Sequence, residues 1–177
     1  MEDSLEKSPR EEQGKAEIRD IIYRLARAID RMDWESVLAL SDPDCIYDYG
    51  GYKGDPAGLV AWMRERHVNV FRSTHHIGNI IAEFAGDAAL VETYVNSVQT
   101  VPSPSDAAEQ INILACARYV DEFRHVSGQW RLKFRSVLID NQLISPALRE
   151  LPATLNLGRR DGEDRLWSER ARLKIDG

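Results

Sequence analysis

The chain has 177 residues, of which 43% are hydrophobic and 29% charged, and a formal net charge of -6. These values fit one globular domain with a full-sized core. The acidic balance, with a pI near 5.3 and no basic stripe, excludes an ordinary nucleic-acid binder, and no apolar run reaches the length of a membrane span.

Residues 1 to about 11 are charged and polar and read as a frayed N-terminus without the apolar core of a secretory signal. Ile18, Ile22, Leu25 and Ile29 then recur at helical spacing and predict one amphipathic helix from Glu11 to Arg31. Asp33 is the N-cap of a short second helix, Trp34 to Leu40, which Ser41-Asp42-Pro43-Asp44 ends. Cys45 to Tyr49 reads as a short strand closed by Gly50-Gly51. Asp55 and Pro56 are the N-cap and first residue of a third helix carrying Leu59, Val60, Trp62, Met63, His67 and Val70.

The period then changes from helical to alternating. Strands are predicted over His75 to Phe84, Ala88 to Val101, Glu109 to Arg124 and Gln129 to Ile139, with turns at Gly86-Asp87 and Ser127-Gly128 and a loop at Pro102 to Ser105. Short connections make consecutive strands antiparallel, and helices followed by a meander give the α+β class. A curved sheet wrapped around the long helix would bury Ile18, Ile22, Leu25 and Ile29 and leave a pocket at the open end of a cone. The division expected is 1–11 as N-terminus, 12–145 as the domain and 146–177 as an extension, with a short helix near Glu163 to Leu173. Cys45 and Cys116 lie in apolar strand-like segments and read as reduced core residues, so a cytoplasmic protein is expected.

Four features could carry chemistry. Asp30 falls in the last turn of the long helix, where a carboxylate faces the negative end of the dipole; the plain alternative is a solvated acid paired with Arg27 or Arg31. His75 and His76 begin a strand and point to opposite faces, with His75 beside Ile77, Asn79 and Ile81; the plain alternative is a satisfied structural imidazole. Neither His67 nor His125 shows ligand spacing with them, so no metal site is expected. Tyr47, Asp48, Tyr49 and Tyr52 surround a glycine turn and could orient a substrate oxygen. Arg135 shares a strand face with Val137 and Ile139 beside Arg131 and Lys133, which a solvated strand edge explains equally well.

Three of these features occur together in one family. Ile29-Asp30-Arg31-Met32-Asp33-Trp34 resembles the end of helix one in SnoaL-like proteins of the NTF2-like (cystatin-like) superfamily. Thr74-His75-His76-Ile77-Gly78-Asn79, with Glu83-Phe84 and Gly86-Asp87, resembles their first long strand, and Gly128-Gln129-Trp130-Arg131-Leu132 their final hairpin. The resemblance covers Ile18 to Asn141 and is strongest to the branch containing scytalone dehydratase, the lindane dehydrochlorinase and the bile-acid 7-alpha-dehydratase. It implies a His-Asp dyad of His75 and Asp30 that serves as the base of an elimination. It also implies a pocket arginine at Arg135. One departure is Leu25, where the bile-acid enzyme has a tyrosine one turn before its aspartate; Tyr47, Tyr49 or Tyr52 could supply a phenol instead, and the leaving-group acid is unassigned.

The chemistry agrees with that transfer. An elimination needs a base poised near neutrality, and a carboxylate that fixes an imidazole's tautomer supplies one. The expectation is a cofactor-free lyase or dehydratase acting on an apolar hydroxylated small molecule of steroid, polyketide or aromatic type. Its pocket would be lined by Trp34, Tyr47, Tyr49, Trp62 and Arg135. An isomerase or cyclase in the same pocket, or a non-catalytic ligand-binding or dioxygenase-small-subunit-like protein, are the alternatives. No cofactor, metal, nucleotide, nucleic acid or membrane is expected as partner, because no glycine-rich phosphate loop opens a helix. A homodimer or homotrimer is expected to form through the outer sheet face, which carries Val91, Thr93, Val95, Ile111, Ile113 and Ala115 or their alternates.

Overall fold

A computed structural model describes residues 9–148, 150–152 and 154–175. The long helix α1 spans Pro9–Asp30, α2 spans Trp34–Leu40 and α3 spans Pro56–His67. The strands are β1 (Ser41–Asp48), β2 (Lys53–Gly54), β3 (Arg72–Ala85), β4 (Ala88–Pro102), β5 (Gln110–Val126) and β6 (Gln129–Pro146), and α4 (Arg165–Leu173) follows them. They form one six-stranded sheet in the order β2-β1-β6-β5-β4-β3. The fold is the α+β, cystatin-like cone, with α1 laid against the inner face of a curved sheet.

The helical stripe does what its spacing requires. Ile18, Ile22, Leu25 and Ile29 are all buried and join Val91, Phe123 and Leu132 of the sheet in one core. Each such side chain contributes about 1.5–3 kcal/mol by leaving water. Gly14 lets α1 approach closely, since a Cβ there would meet the Trp130 indole nitrogen at 2.8 Å. Both predicted caps form: Asp33 accepts from the Ser36 amide and Asp55 from the Gly58 amide. The Ser127-Gly128 turn has φ of 52° and 83°, the primed geometry that matches strand twist.

Boundaries differ where sheet pairing extends what local pattern suggests. α1 begins at Pro9, inside the segment expected to fray, and residues 1–8 of that segment lie outside the described residues. Ser41 to Asp44 does not form a plain loop. β1 starts at Ser41, pairs parallel with β6, and carries an irregularity between Ser41 and Ile46. β6 runs past the expected Ile139 to Pro146, because β5 offers partners up to Ile111.

Two β-bulges overturn the simple alternation. In β3 the register shifts between Ile77 and Ile80. His75 and Ile77 therefore share the inner face with Ile80, Ala82 and Phe84, not with Asn79 and Ile81, which are exposed. In β6 a shift opposite Glu122 and Phe123 lets Leu132 and Arg135 both face inward. Arg135 is thus separated from Arg131 and Lys133, and the solvated strand edge is not its setting. The inner face of β4 carries Val91, Thr93 and Val95, all buried, so the outer face is formed by their alternates Leu90 and Tyr94.

Candidate active site

Asp30 is the last residue of α1 and is 7% exposed. A carboxylate at that end opposes the helix dipole, and three donors from β3 compensate. Ser73 donates its hydroxyl to Oδ1 at 2.8 Å, the His75 amide donates to Oδ2 at 2.8 Å, and His75 Nδ1 lies 2.7 Å from Oδ1. β3 is the edge of the sheet, so an outward amide such as that of His75 has no ladder partner. Asp30 supplies one. Burial alone would push the Asp30 carboxyl up, but the hydrogen bonds and charge of His75, with those of Ser73, hold it below the ordinary carboxylate range.

An ionised Asp30 accepts only, so Nδ1 of His75 must carry the proton. Nε2 is then the basic nitrogen of the neutral ring, and it has no hydrogen-bond partner among the described residues. The His75 side chain is 10% exposed. Asp30 and His75 border a groove of about 390 Å³ between α1 and β3, together with Tyr23, Arg27, Arg31 and Thr74. His76 alternates with His75 along the strand and is exposed, and it too borders this groove.

The other predicted residues lie deeper or further round the cone, and none of them lines that groove. Tyr47 and Tyr49, then Tyr49 and Trp62, stand 6.1 and 6.2 Å apart by ring centroids, with Tyr52 against Trp62. Two of these phenols are committed to structure. Ser41 donates to the Val37 carbonyl, so the Tyr47 hydroxyl at 2.6 Å donates to Ser41, and Tyr52 donates to the Asp55 carbonyl. The Tyr49 phenol is left beside Arg135; burial pushes it up and the guanidinium opposes that rise. Trp34 packs edge-on against His67 at 5.4 Å.

Arg135 is 1% exposed and makes a two-pronged pair with Asp121, at 2.8 and 2.7 Å, over the Tyr119 ring. Burial pushes the Tyr119 phenol up, the charges of Tyr49, Asp121 and Asp30 add to that rise, and Arg135 opposes it. Thr93, opposite Tyr119 in the sheet, buries a hydroxyl that has no hydrogen-bond partner among the described residues. Burial pushes the Cys45 thiol up to about 12, which makes it a poor nucleophile.

Sequence reasoning missed Ser73, Asp121 and Arg160, and weighed His67 only as a metal ligand. Asp121 carried a usable signal, an acid in phase with Ala117, Tyr119 and Phe123 on an apolar strand face. Among the described residues no group of three histidine, cysteine or acidic side chains could hold a metal ion, and no helix is long and apolar enough to cross a membrane.

A SnoaL-like domain profile matches residues 11–136. The chain belongs to the SnoaL-like family. Solved structures agree on the fold of this SnoaL-like chain. The hexachlorocyclohexane dehydrochlorinase LinA-type3 of Novosphingobium barchaimii superposes with a TM-score of 0.69 at 17% identity, over 80% of this chain and 97% of that one. A scytalone dehydratase candidate of Novosphingobium aromaticivorans gives 0.66 at 17% identity, over 83% and 97%. A cystatin-like protein of unknown function from Nostoc punctiforme gives 0.58 at 22% identity, over 71% and 90%. No curated protein sequence matches the chain significantly.

Proposed function

We propose that this SnoaL-like protein is a cofactor-free lyase of the dehydratase type. One observation supports the reading above the rest: Asp30 is clasped by three donors of β3 and bonded to Nδ1 of His75, which leaves Nε2 as a free base. Nε2 removes a proton from carbon, and Asp30 stabilises the imidazolium that forms. The electron pair then forms the new double bond as the carbon–oxygen bond breaks. The departing hydroxide needs a proton. The imidazolium formed at Nε2 returns that proton to the leaving oxygen, so that water departs, since no phenol of the Tyr47, Tyr49 and Tyr52 cluster lines the groove that His75 borders. Ile77, which borders the groove beside His75, packs against Val95 and Ala117 in a buried apolar cluster, and the substrate class proposed is a hydroxylated steroid, polyketide or aromatic compound. Trp34, Tyr47 and Trp62 belong to the main core and line no part of the groove at His75.

The isomerase reading uses the same base but returns the proton to another carbon, so it needs no leaving-group acid. Turnover of a panel of β-hydroxy ketones and hydroxylated aromatics, followed by mass spectrometry, separates the two. Loss of water that disappears in His75→Ala supports the lyase. A product of unchanged mass in ordinary water that gains solvent deuterium in heavy water supports the isomerase. Equal turnover by wild type and His75→Ala overturns both. The same assay run with a chelator is expected to be unchanged.

A homodimer or homotrimer through the outer face of the sheet, where Leu90, Tyr94 and Leu138 are exposed, belongs to the same proposal. Light scattering at micromolar concentration tests it, and a monomer refutes it.

A further inference from the structure

The segment after the sheet returns to the pair from outside the matched family domain. It carries Arg160, which is 8% exposed. Nε donates to the Asp30 carbonyl at 3.0 Å, Nη1 to the Val70 carbonyl at 2.6 Å, and Nη2 lies 2.9 Å from Nδ1 of His67. One guanidinium fork thus closes on the end of α1, on the lead into β3 and on the end of α3. A cation is favoured there, because helix C-termini present carbonyls without partners. The approach of Arg160 is itself fixed. Asp164, the N-cap of α4, accepts from the Arg159 amide at 2.8 Å and from the Leu166 amide at 3.0 Å.

The fork constrains His67 as well. A guanidinium only donates, so Nδ1 of His67 accepts and its proton sits on Nε2. Burial, with the charges of Arg160, His75 and Arg66, pushes His67 down to about 4, against the pull of Asp30. Trp34 covers its ring. The His67 imidazole is therefore held neutral.

We propose that Arg160 is a positioning residue for the Asp30–His75 pair, a clamp from the C-terminal segment that fixes the end of α1 against the start of β3. The proposal rests on the His-Asp reading above. Among the described residues the donors that orient the Asp30 carboxylate all come from β3, so any slip between α1 and β3 weakens all three bonds together. Productive geometry tolerates only about half an ångström of such error. Charge alone does not suffice, because a lysine ammonium at 160 can reach one of the three acceptors but not all of them.

The test needs no substrate. Full-length protein labelled with 15N-histidine reports ring tautomers and the exchange of the His75 Nδ1 proton by NMR. Wild type is expected to show His75 protonated at Nδ1, with that proton protected, and His67 protonated at Nε2. In Arg160→Gln the His75 Nδ1 proton should exchange about tenfold faster or more, and His67 should titrate at a higher pH. Arg160→Lys should resemble Arg160→Gln at His75 while His67 stays suppressed, and it decides the question if the glutamine variant does not fold. Asp30→Ala is the control: it should abolish protection at His75 and leave the tautomer of His67 alone. If Asp30→Ala leaves His75 unchanged, the dyad reading itself fails. If Asp30→Ala acts but neither Arg160 variant disturbs His75, the clamp is overturned and the dyad stands.

Discussion

Asp30 and Asp121 are both buried carboxylates with a nitrogenous partner, yet their surroundings give them opposite characters. Asp121 is fully enclosed, and Arg135 spends its fork on it in two parallel bonds. Burial pushes the Asp121 carboxyl up against the pull of Arg135, while Asp121 holds Arg135 well above its ordinary value. The carboxylate and the fork are satisfied by each other. At Asp30 the partner is an imidazole, the side chains keep about a tenth of their surface open, and one ring nitrogen has no hydrogen-bond partner among the described residues. A pair that satisfies itself stiffens a cone; a pair left one bond short can take up a proton.

The comparison breaks most sharply under substitution. His75→Ala and Asp30→Asn are each expected to cost about 10²- to 10⁴-fold in turnover. The double variant should be no worse than the worse single, since a base without its orienting partner is already disabled. Additive losses in a kinetic double-mutant cycle would mean that the two act separately.

Next come the stability effects at the other pair. Asp121→Leu or Arg135→Met alone should lower the free energy of unfolding by about 3–5 kcal/mol, because each leaves a buried charge uncompensated. The double replacement should recover most of that loss. Urea denaturation reads it, and a small effect of the single changes would show that water reaches the pair.

The pH dependence sharpens the contrast. His67 is held neutral down to about 4, below its ordinary 6.5, so the unfolded chain binds more protons across that window. Stability should therefore fall by about 2–3 kcal/mol as pH drops from neutrality to 4, and His67→Gln should flatten the slope. Asp30 is depressed below 3.8, so its contribution is present above that pH and is lost only as pH falls through the lower folded value. Asp30→Asn should remove the second step and leave the first. The smallest effect is expected at exposed His76, where alanine should change stability by less than about 0.5 kcal/mol.

Much of this was legible in the chain. The stripe Ile18, Ile22, Leu25, Ile29, the caps Asp33 and Asp55 and the turns Gly86-Asp87 and Ser127-Gly128 are local signals, and each fixes its element within a few residues. Asp30 could be singled out because it violates a local rule, an acid at the negative end of a helix. Its partner His75 followed only from the family resemblance, since 45 residues separate them.

What the chain alone determined, then, is what neighbours within a turn or a strand decide: element type, order, capping and the α+β class. Tertiary structure decided which strand faces point inward, because a single bulged residue at Gly78-Asn79 or Lys133 reverses the alternation and sends Arg135 into the core. It also decided that Arg160, far along a segment of poor periodicity, closes on the end of α1. Such contacts depend on three-dimensional closure of the chain, and a residue's own neighbours carry no physical trace of them.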